Sequence, residues 1–246
     1  MFNYIKFALY QIISFILSVP KLSKFKKNED KYSNEEKFRW VRTHARKSLD
    51  LVKININVIG KERVPKGEVL FVLNHSSMLD SYILISSVEK PVGVIIADEP
   101  IWHNIPIVSK WLKLIKCVYI NRKNNREGIK SINEAAKNIK EGQSMAVFPE
   151  GDLTWVKDPN ALISEFKPGA LKIAYKANCP IVPMVIKNSR VTYEGYEPIG
   201  RITSADIEVE YLEPIIDHIN NPKIKTIELA EIIRNKMIES IKRFNN

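Results

Sequence analysis

At 246 residues the chain is long enough for one large domain with a substantial core, and its 45% hydrophobic and 27% charged content excludes general disorder. Its formal charge of +10 fits an anionic partner, either nucleic acid or a membrane surface. Residues 1–50 hold 11 Lys/Arg against 5 Asp/Glu; this excess lies beside the most apolar segment and no RNP-like or finger motif is visible, so nucleic acid is not an expected partner.

The segment "FALYQIISFILSVP", residues 7–20, carries no charge. As a helix of 14 residues it would reach only about 21 Å, short of a hydrocarbon core of about 30 Å. On a helical wheel Asn3, Lys6, Gln11, Ser14 and Ser18 gather within about 140°, leaving a wide apolar face, the pattern of a helix lying in a membrane interface. Lys21, Lys24, Lys26 and Lys27 follow and would sit among anionic headgroups. A monotopic anchor is therefore expected. Its rivals are a single tilted span, a cleaved signal peptide, for which no clear small-x-small site is present, and an ordinary core helix.

Ser33 and Glu36 then stand in capping-box spacing before an amphipathic helix with Phe38, Val41, Ala45, Leu49 and Val52 on one face. Lys37, Arg39, Arg42, Arg46, Lys47 and His44 are expected on its solvated surface. Residues 1–52 are accordingly read as a helical membrane-anchoring segment and residues 53–246 as the main domain.

Beyond Lys53, apolar runs alternate with helical patterns. "ININVIG", "EVLFVL", "VGVIIA", "CVYI", "SMAVF", "IVPMVI" and "DIEVEYL" read as strands. Helices are expected over Met78–Val88, Pro106–Lys116, Arg126–Glu141 with Gly142 as C-cap, Gly169–Asn178 and Thr226–Phe244. This order predicts an α/β fold: a mixed, largely parallel sheet of about seven strands with helices on both faces. Cys117 and Cys179 lie in apolar segments without CxxC spacing or a nearby histidine, so neither a metal site nor a disulfide is expected, and buried free thiols fit a reducing compartment.

Sites in such sheets gather at strand ends. Polar clusters follow three of the predicted strands: "NHSSMLD" (74–80), "NR" (121–122) and "PEGD" (149–152). Three loops on adjacent strand ends could share one pocket. His75 can take a hydroxyl proton if a carboxylate orients its ring, and Asp80 is placed to do so provided the chain curls through a strand-to-helix junction. Taken alone, a histidine five residues before an aspartate is a common coincidence, with Asn74 ending a strand and Ser76 or Ser77 capping a helix. No G-x-S-x-G motif is present, so a catalytic dyad here would activate the substrate's own hydroxyl. Arg122 offers a planar fork for phosphate. Glu150, in a tight turn with Gly151, would orient Arg122 or accept a hydrogen bond from a substrate hydroxyl.

In order and at these separations, "NHSSMLD", "YINR", "FPEG" and "IVPMVI" resemble the four sequence blocks of the glycerolphosphate acyltransferase superfamily, and most of all those of its lysophosphatidate acyltransferases. The resemblance runs from about Val69 to Ile186. It implies His75 and Asp80 as catalytic dyad, Arg122 as a phosphate contact, Glu150 and Gly151 in substrate binding, and Pro183 near the acyl side of the site. It further implies transfer of a fatty acyl group from acyl-CoA or acyl-carrier protein to a lysophospholipid such as 1-acyl-glycerol-3-phosphate, without a cofactor or metal; the apolar and basic amino-terminal segment sets the expectation of the cytoplasmic face of a membrane bearing anionic lipids. The chain departs from the family at two places. Asp152, Leu153 and Thr154 stand where Thr-Arg-Ser commonly follows the block's glycine, and Asp98 stands where a lysine is common. One arginine and one lysine are thereby absent, with Lys157 and Lys167 as candidate replacements. Another lysolipid or an amino-acid lipid as acceptor, and a non-catalytic lipid-binding protein of the same fold, are the alternatives.

Overall fold

The computed structural model describes residues 2–100, 105–193 and 201–245. The sheet has seven strands: β1 (Ile54–Ile59), β2 (Leu70–Leu73), β3 (Val92–Ala97), β4 (Val118–Ile120), β5 (Ser144–Val147), β6 (Ile181–Lys187) and β7 (Ala205–Tyr211). Their spatial order is β1-β7-β6-β2-β5-β3-β4, and every neighbouring pair is parallel except β6 with β7. The mixed, largely parallel α/β sheet predicted from the alternation of apolar runs is thus the observed one.

β2, β5 and β6 are buried at every residue, which is why they read as unbroken apolar runs. Pro183 sits inside β6, opposite Val72 of β2. Pro183 O accepts from Leu212 N at 2.9 Å at the very start of the ladder to β7, so the proline gives up only the one reciprocal N–H bond of that terminal pair.

Helices α2 (Asn34–Leu51) and α3 (Asp80–Ser87) cover one face of the sheet. Phe38, Leu49, Ile83 and Leu84 join Phe71, Leu73 and Val182 in the core there. α4 (Pro106–Leu114) continues toward the sheet's β4 edge. α5 (Asn125–Lys140), α7 (Lys172–Ala177) and α9 (Thr226–Asn245) cover the other face, packing Ala136, Ile173 and Ile233 on Leu70, Met145 and Ile181. Two short helices, α6 (Thr154–Lys157) and α8 (Asp217–Asn220), complete the chain order. Gly142, with φ of +84°, ends α5 as its sequence position suggests. Cys117 and Cys179 are buried free thiols, and burial pushes both up to about 12.

The amino-terminal region differs from expectation in three respects. First, α1 (Phe2–Lys27) is 26 residues long and does not stop at Pro20. A proline inside a helix costs about 3 kcal/mol. Burying Leu22 and Phe25 against Trp111 and its neighbours offsets it, at about 1.5–3 kcal/mol for each large side chain. At 1.5 Å per residue the helix is about 39 Å long, enough to cross a membrane, so the length argument against a span no longer holds. Second, the polar arc of α1 faces the protein. Gln11 donates to Ser48 Oγ at 2.9 Å, its Oε1 lies 2.9 Å from His44 Nε2, and Trp111 Nε1 donates to Ser18 Oγ at 2.9 Å. The apolar face points outward: Phe2, Leu9, Ile12, Ile13, Ile16 and Leu17 are exposed, Leu17 by 73%.

Third, α2 opens with the predicted capping box, Ser33 Oγ accepting from Glu36 N and Glu36 Oε2 from Ser33 N. Yet two residues expected on its solvated face are not there. Lys37 is buried. His44 is wedged among Tyr10, Phe15 and Trp40, and burial lowers its pKa to about 4. For His44, α1 supplies the cover through Tyr10, Gln11 and Phe15, a tertiary contact that α2's own periodicity cannot reveal.

Candidate active site

The geometry starts with Asn74, the first residue past β2. Its side chain donates to Ile186 O and accepts from Ile186 N, both at 2.8 Å, continuing the ladder to β6 as a backbone unit would. The chain then turns. His75 N donates to Glu150 Oε1 at 2.8 Å, and His75 O accepts from Thr154 N at 2.7 Å and Thr154 Oγ1 at 2.9 Å. The histidine is therefore pinned at its backbone by the loop that follows β5, the strand paired with β2.

Its ring is held twice over. Nδ1 lies 3.0 Å from Asp80 Oδ2, and the ring stacks on Phe148 with centroids 4.3 Å apart. Asp80 is completely buried, and the same Oδ2 accepts from Ser76 N at 2.7 Å and Ser77 N at 2.8 Å. An oxygen that already receives two N–H donors is an acceptor toward the ring too, so Nδ1 carries the proton and the Nε2 lone pair is left for a substrate. Among the described residues, Asp80 is the ring's only hydrogen-bond partner.

The turn is tighter than the sequence indicated. α3 begins at Asp80 rather than Met78, and its N-cap is Leu79, which makes no side-chain cap. Neither Ser76 nor Ser77 caps the helix. The Asp80 carboxylate organises the loop by accepting from their N–H groups, while Ser77 Oγ accepts from Leu79 N at 3.2 Å and pairs with Thr192 Oγ1 at 2.9 Å.

Glu150 lies deeper than its place in a tight turn suggests. It is completely buried, with no hydrogen bond or ion pair to Arg122. Its Oε1 takes His75 N, and its Oε2 accepts from Thr154 Oγ1 at 2.7 Å, Ser164 N at 2.7 Å and Ser164 Oγ at 2.6 Å. One group thus lies on Oε1 and three on Oε2, with the single Thr154 hydroxyl proton shared between Oε2 and His75 O. Glu150 holds the His75 backbone and does not line the cavity that Arg122 lines. Thr154 and Ser164 were not foreseen as partners: Thr154 lies four residues downstream, but nothing in the pattern around Ser164 marks it.

Arg122 and Gly151 do come together. They line a cavity of about 460 Å³ with Asn121, Phe148, Lys167 and Lys172, floored by Ile95, Ile120, Val147 and Ile173. The three polar loops are not on successive strands, because β3 stands between β5 and β4. Phe148 bridges the gap, walling the cavity and stacking on His75. No group of His, Cys, Asp or Glu suited to a metal ion occurs among the described residues.

A strand-end His–Asp pair whose partners leave one ring nitrogen open beside a cationic cavity defines a protein able to activate a substrate's hydroxyl. The acyltransferase family's sequence model matches residues 55–187, and the chain belongs to that family, the glycerolphosphate acyltransferases that its four blocks resemble; it is an acyltransferase enzyme. A Mycoplasma pneumoniae protein named "Probable 1-acyl-sn-glycerol-3-phosphate acyltransferase" is 34% identical over 203 residues, 80% of this chain and 72% of the relative. The Saccharomyces cerevisiae 1-acyl-sn-glycerol-3-phosphate acyltransferase is 26% identical over 193 residues, covering 78% of this chain and 61% of its own. The fold matches the crystal structure of the Thermotoga maritima 1-acyl-sn-glycerophosphate acyltransferase with a TM-score of 0.75 at 18% identity, over 98% of this chain and 96% of that one.

Proposed function

We propose that the protein transfers a fatty acyl group from a thioester of CoA or acyl-carrier protein to the free hydroxyl of 1-acyl-glycerol-3-phosphate, yielding phosphatidic acid at a membrane surface. The observation that carries this reading is the His75 ring, fixed by Asp80 through Nδ1 and by Phe148 through its face, at the wall of a cavity rimmed by Arg122 and Lys167. The names of the relatives support the acceptor.

In this mechanism Nε2 of His75 removes the hydroxyl proton as the oxygen attacks the thioester carbonyl carbon. The imidazolium that forms is stabilised by Asp80, whose carboxylate does not itself take the proton. As the tetrahedral intermediate collapses, the C–S bond breaks, the imidazolium returns the proton to the leaving sulfur, and the C–O ester bond remains. Arg122 meets the phosphate as a two-pronged donor. Nothing in the cycle consumes a cofactor.

Association with the membrane follows from α1. Its inner side is attached at Asn3, Gln11, Ser18, Leu22 and Phe25, along almost its whole length. A helix fastened in this way to a domain with a polar exterior lies along the bilayer rather than through it, with Leu9, Ile13 and Leu17 in the hydrocarbon and Lys21, Lys24, Lys26 and Lys27 at the headgroups. The free thiols favour the cytoplasmic face.

The test is an acceptor panel of lysophosphatidate, lysophosphatidylcholine, monoacylglycerol and a lyso-amino-acid lipid, with wild type and His75→Ala side by side. Acylation of lysophosphatidate above the others, lost in His75→Ala with folding retained, is expected. A preference for an uncharged acceptor overturns the choice of acceptor, and full turnover by His75→Ala overturns the mechanism.

A further inference from the structure

Gly151 has φ of +79°, in the left-handed region, and a Cβ placed there would stand 2.6 Å from Lys167 Nζ, 2.9 Å from Cε and 3.1 Å from Cδ. Lys167 thus lies flat across the backbone of the turn, its ammonium beside the position a side chain would occupy. Its own N–H donates to Pro149 O at 2.8 Å, so its backbone is bonded to the turn that its side chain crosses. Arg122 reaches the same cavity from the loop after β4.

We infer that Lys167 is a specificity-determining residue that receives the acceptor's phosphomonoester together with Arg122, an inference that rests on the function proposed above. Between the two candidates for the cation missing at Leu153, the geometry favours Lys167, since Lys157 Nζ is already committed to Glu150 O at 2.9 Å. The charges around Lys167 agree. Partial burial lowers its pKa, Arg122 and Lys157 lower it further, and Asp152 is the acid opposing them. Three cations against one carboxylate leave repulsion that an anion relieves, and a phosphomonoester bears close to two negative charges near neutral pH. The planar Arg122 fork and the Lys167 point charge would share its oxygens.

The experiment measures KM for lysophosphatidate and for the thioester donor in wild type, Lys167→Met and Lys167→Arg, and separately the affinity of each for glycerol 3-phosphate by calorimetry. Lys167→Met should raise the lysophosphatidate KM by about 10- to 100-fold and weaken glycerol 3-phosphate equally, with kcat and the donor KM little changed, while Lys167→Arg restores most of the loss. An unchanged KM and unchanged glycerol 3-phosphate affinity in Lys167→Met overturn the inference and leave the proposed function standing. Glycerol 3-phosphate binding that depends on Lys167 in a wild type unable to acylate lysophosphatidate overturns the function instead and upholds the anion site.

Discussion

The backbone N–H of His75 donates to Oε1 of Glu150 at 2.8 Å although 75 positions separate them. The bond ties the loop after β2 to the loop after β5, and the remaining oxygen of Glu150 is filled by Thr154 and Ser164. Because the backbone position of an imidazole sets where its Nε2 points, in the proposed mechanism this acid would act on catalysis through geometry. Misplacing a reacting group by about 1 Å can cost about 100-fold in rate.

Glu150→Gln follows directly. All the bonds to the carboxylate come from donors, so a glutamine must turn its NH2 toward at least one of them. A buried donor left unsatisfied costs about 1–3 kcal/mol. The variant should melt roughly 2–4 °C lower per kcal/mol lost and show kcat reduced by about tenfold or more, with the acceptor KM nearly unchanged. A raised acceptor KM at full kcat would return Glu150 to the substrate.

Much of this arrangement is legible in the sequence. Unbroken apolar runs such as "LFVL" and "SMAV" mark the central strands, and the position of "NHSSMLD" and "FPEG" directly after them brings His75 and Glu150 to one edge. The inward turn of Glu150 is not legible, because it depends on Ser164 arriving from a segment without periodicity. Nor is the environment of His44, which α2's own pattern puts at the surface and which α1 then covers. Periodicity reports the face an element presents to its nearest layer, and is silent on a second helix stacked outside.

Asp80→Asn separates loop architecture from charge. The asparagine oxygen can keep accepting from Ser76 N, Ser77 N and His75 Nδ1, so the turn should persist. Without the carboxylate's negative charge the imidazolium loses its stabilisation, and kcat should fall by about 1,000- to 10,000-fold. Circular dichroism and crystallography check the fold while single-turnover rates check the chemistry. A variant within tenfold of wild type would mean that Asp80 serves only the loop.

Membrane attachment is tested on the outward side of α1, where substitution leaves the contacts with α2 alone. Leu9→Glu, Ile13→Glu and Leu17→Glu together should release the protein from phosphatidylglycerol vesicles in flotation assays, with its activity toward a water-soluble short-chain acceptor intact. Gln11→Ala should do the reverse, retaining vesicle binding while lowering the melting temperature, since His44, Ser48 and Tyr82 all lose their shared partner. Vesicle binding by the triple variant equal to wild type would place the membrane contact elsewhere.

His44 makes the attachment of α1 sensitive to acid. Burial holds its folded-state pKa at about 4, while the unfolded chain binds the same proton near 6.5. Between those values the unfolded state carries more protons, so stability falls as pH drops through that window and is fully retained above it. The slope is at most about 1.4 kcal/mol per pH unit for one group. Lys21, Arg39 and Lys47, with Glu36 as the single acid, line the cleft beside His44, and it is burial that lowers its pKa. His218 is also lowered, by its own burial, so the comparison must be made at one position. His44→Phe keeps the ring among Tyr10, Phe15 and Trp40 and leaves Gln11 Oε1 bonded to Tyr82. Urea midpoints in detergent at pH 7.5, 6, 5 and 4.5 should therefore converge in this variant relative to wild type, by an amount that grows as pH falls. An identical pH dependence in the two proteins would mean that His44 titrates normally and that α1 does not seal it from water.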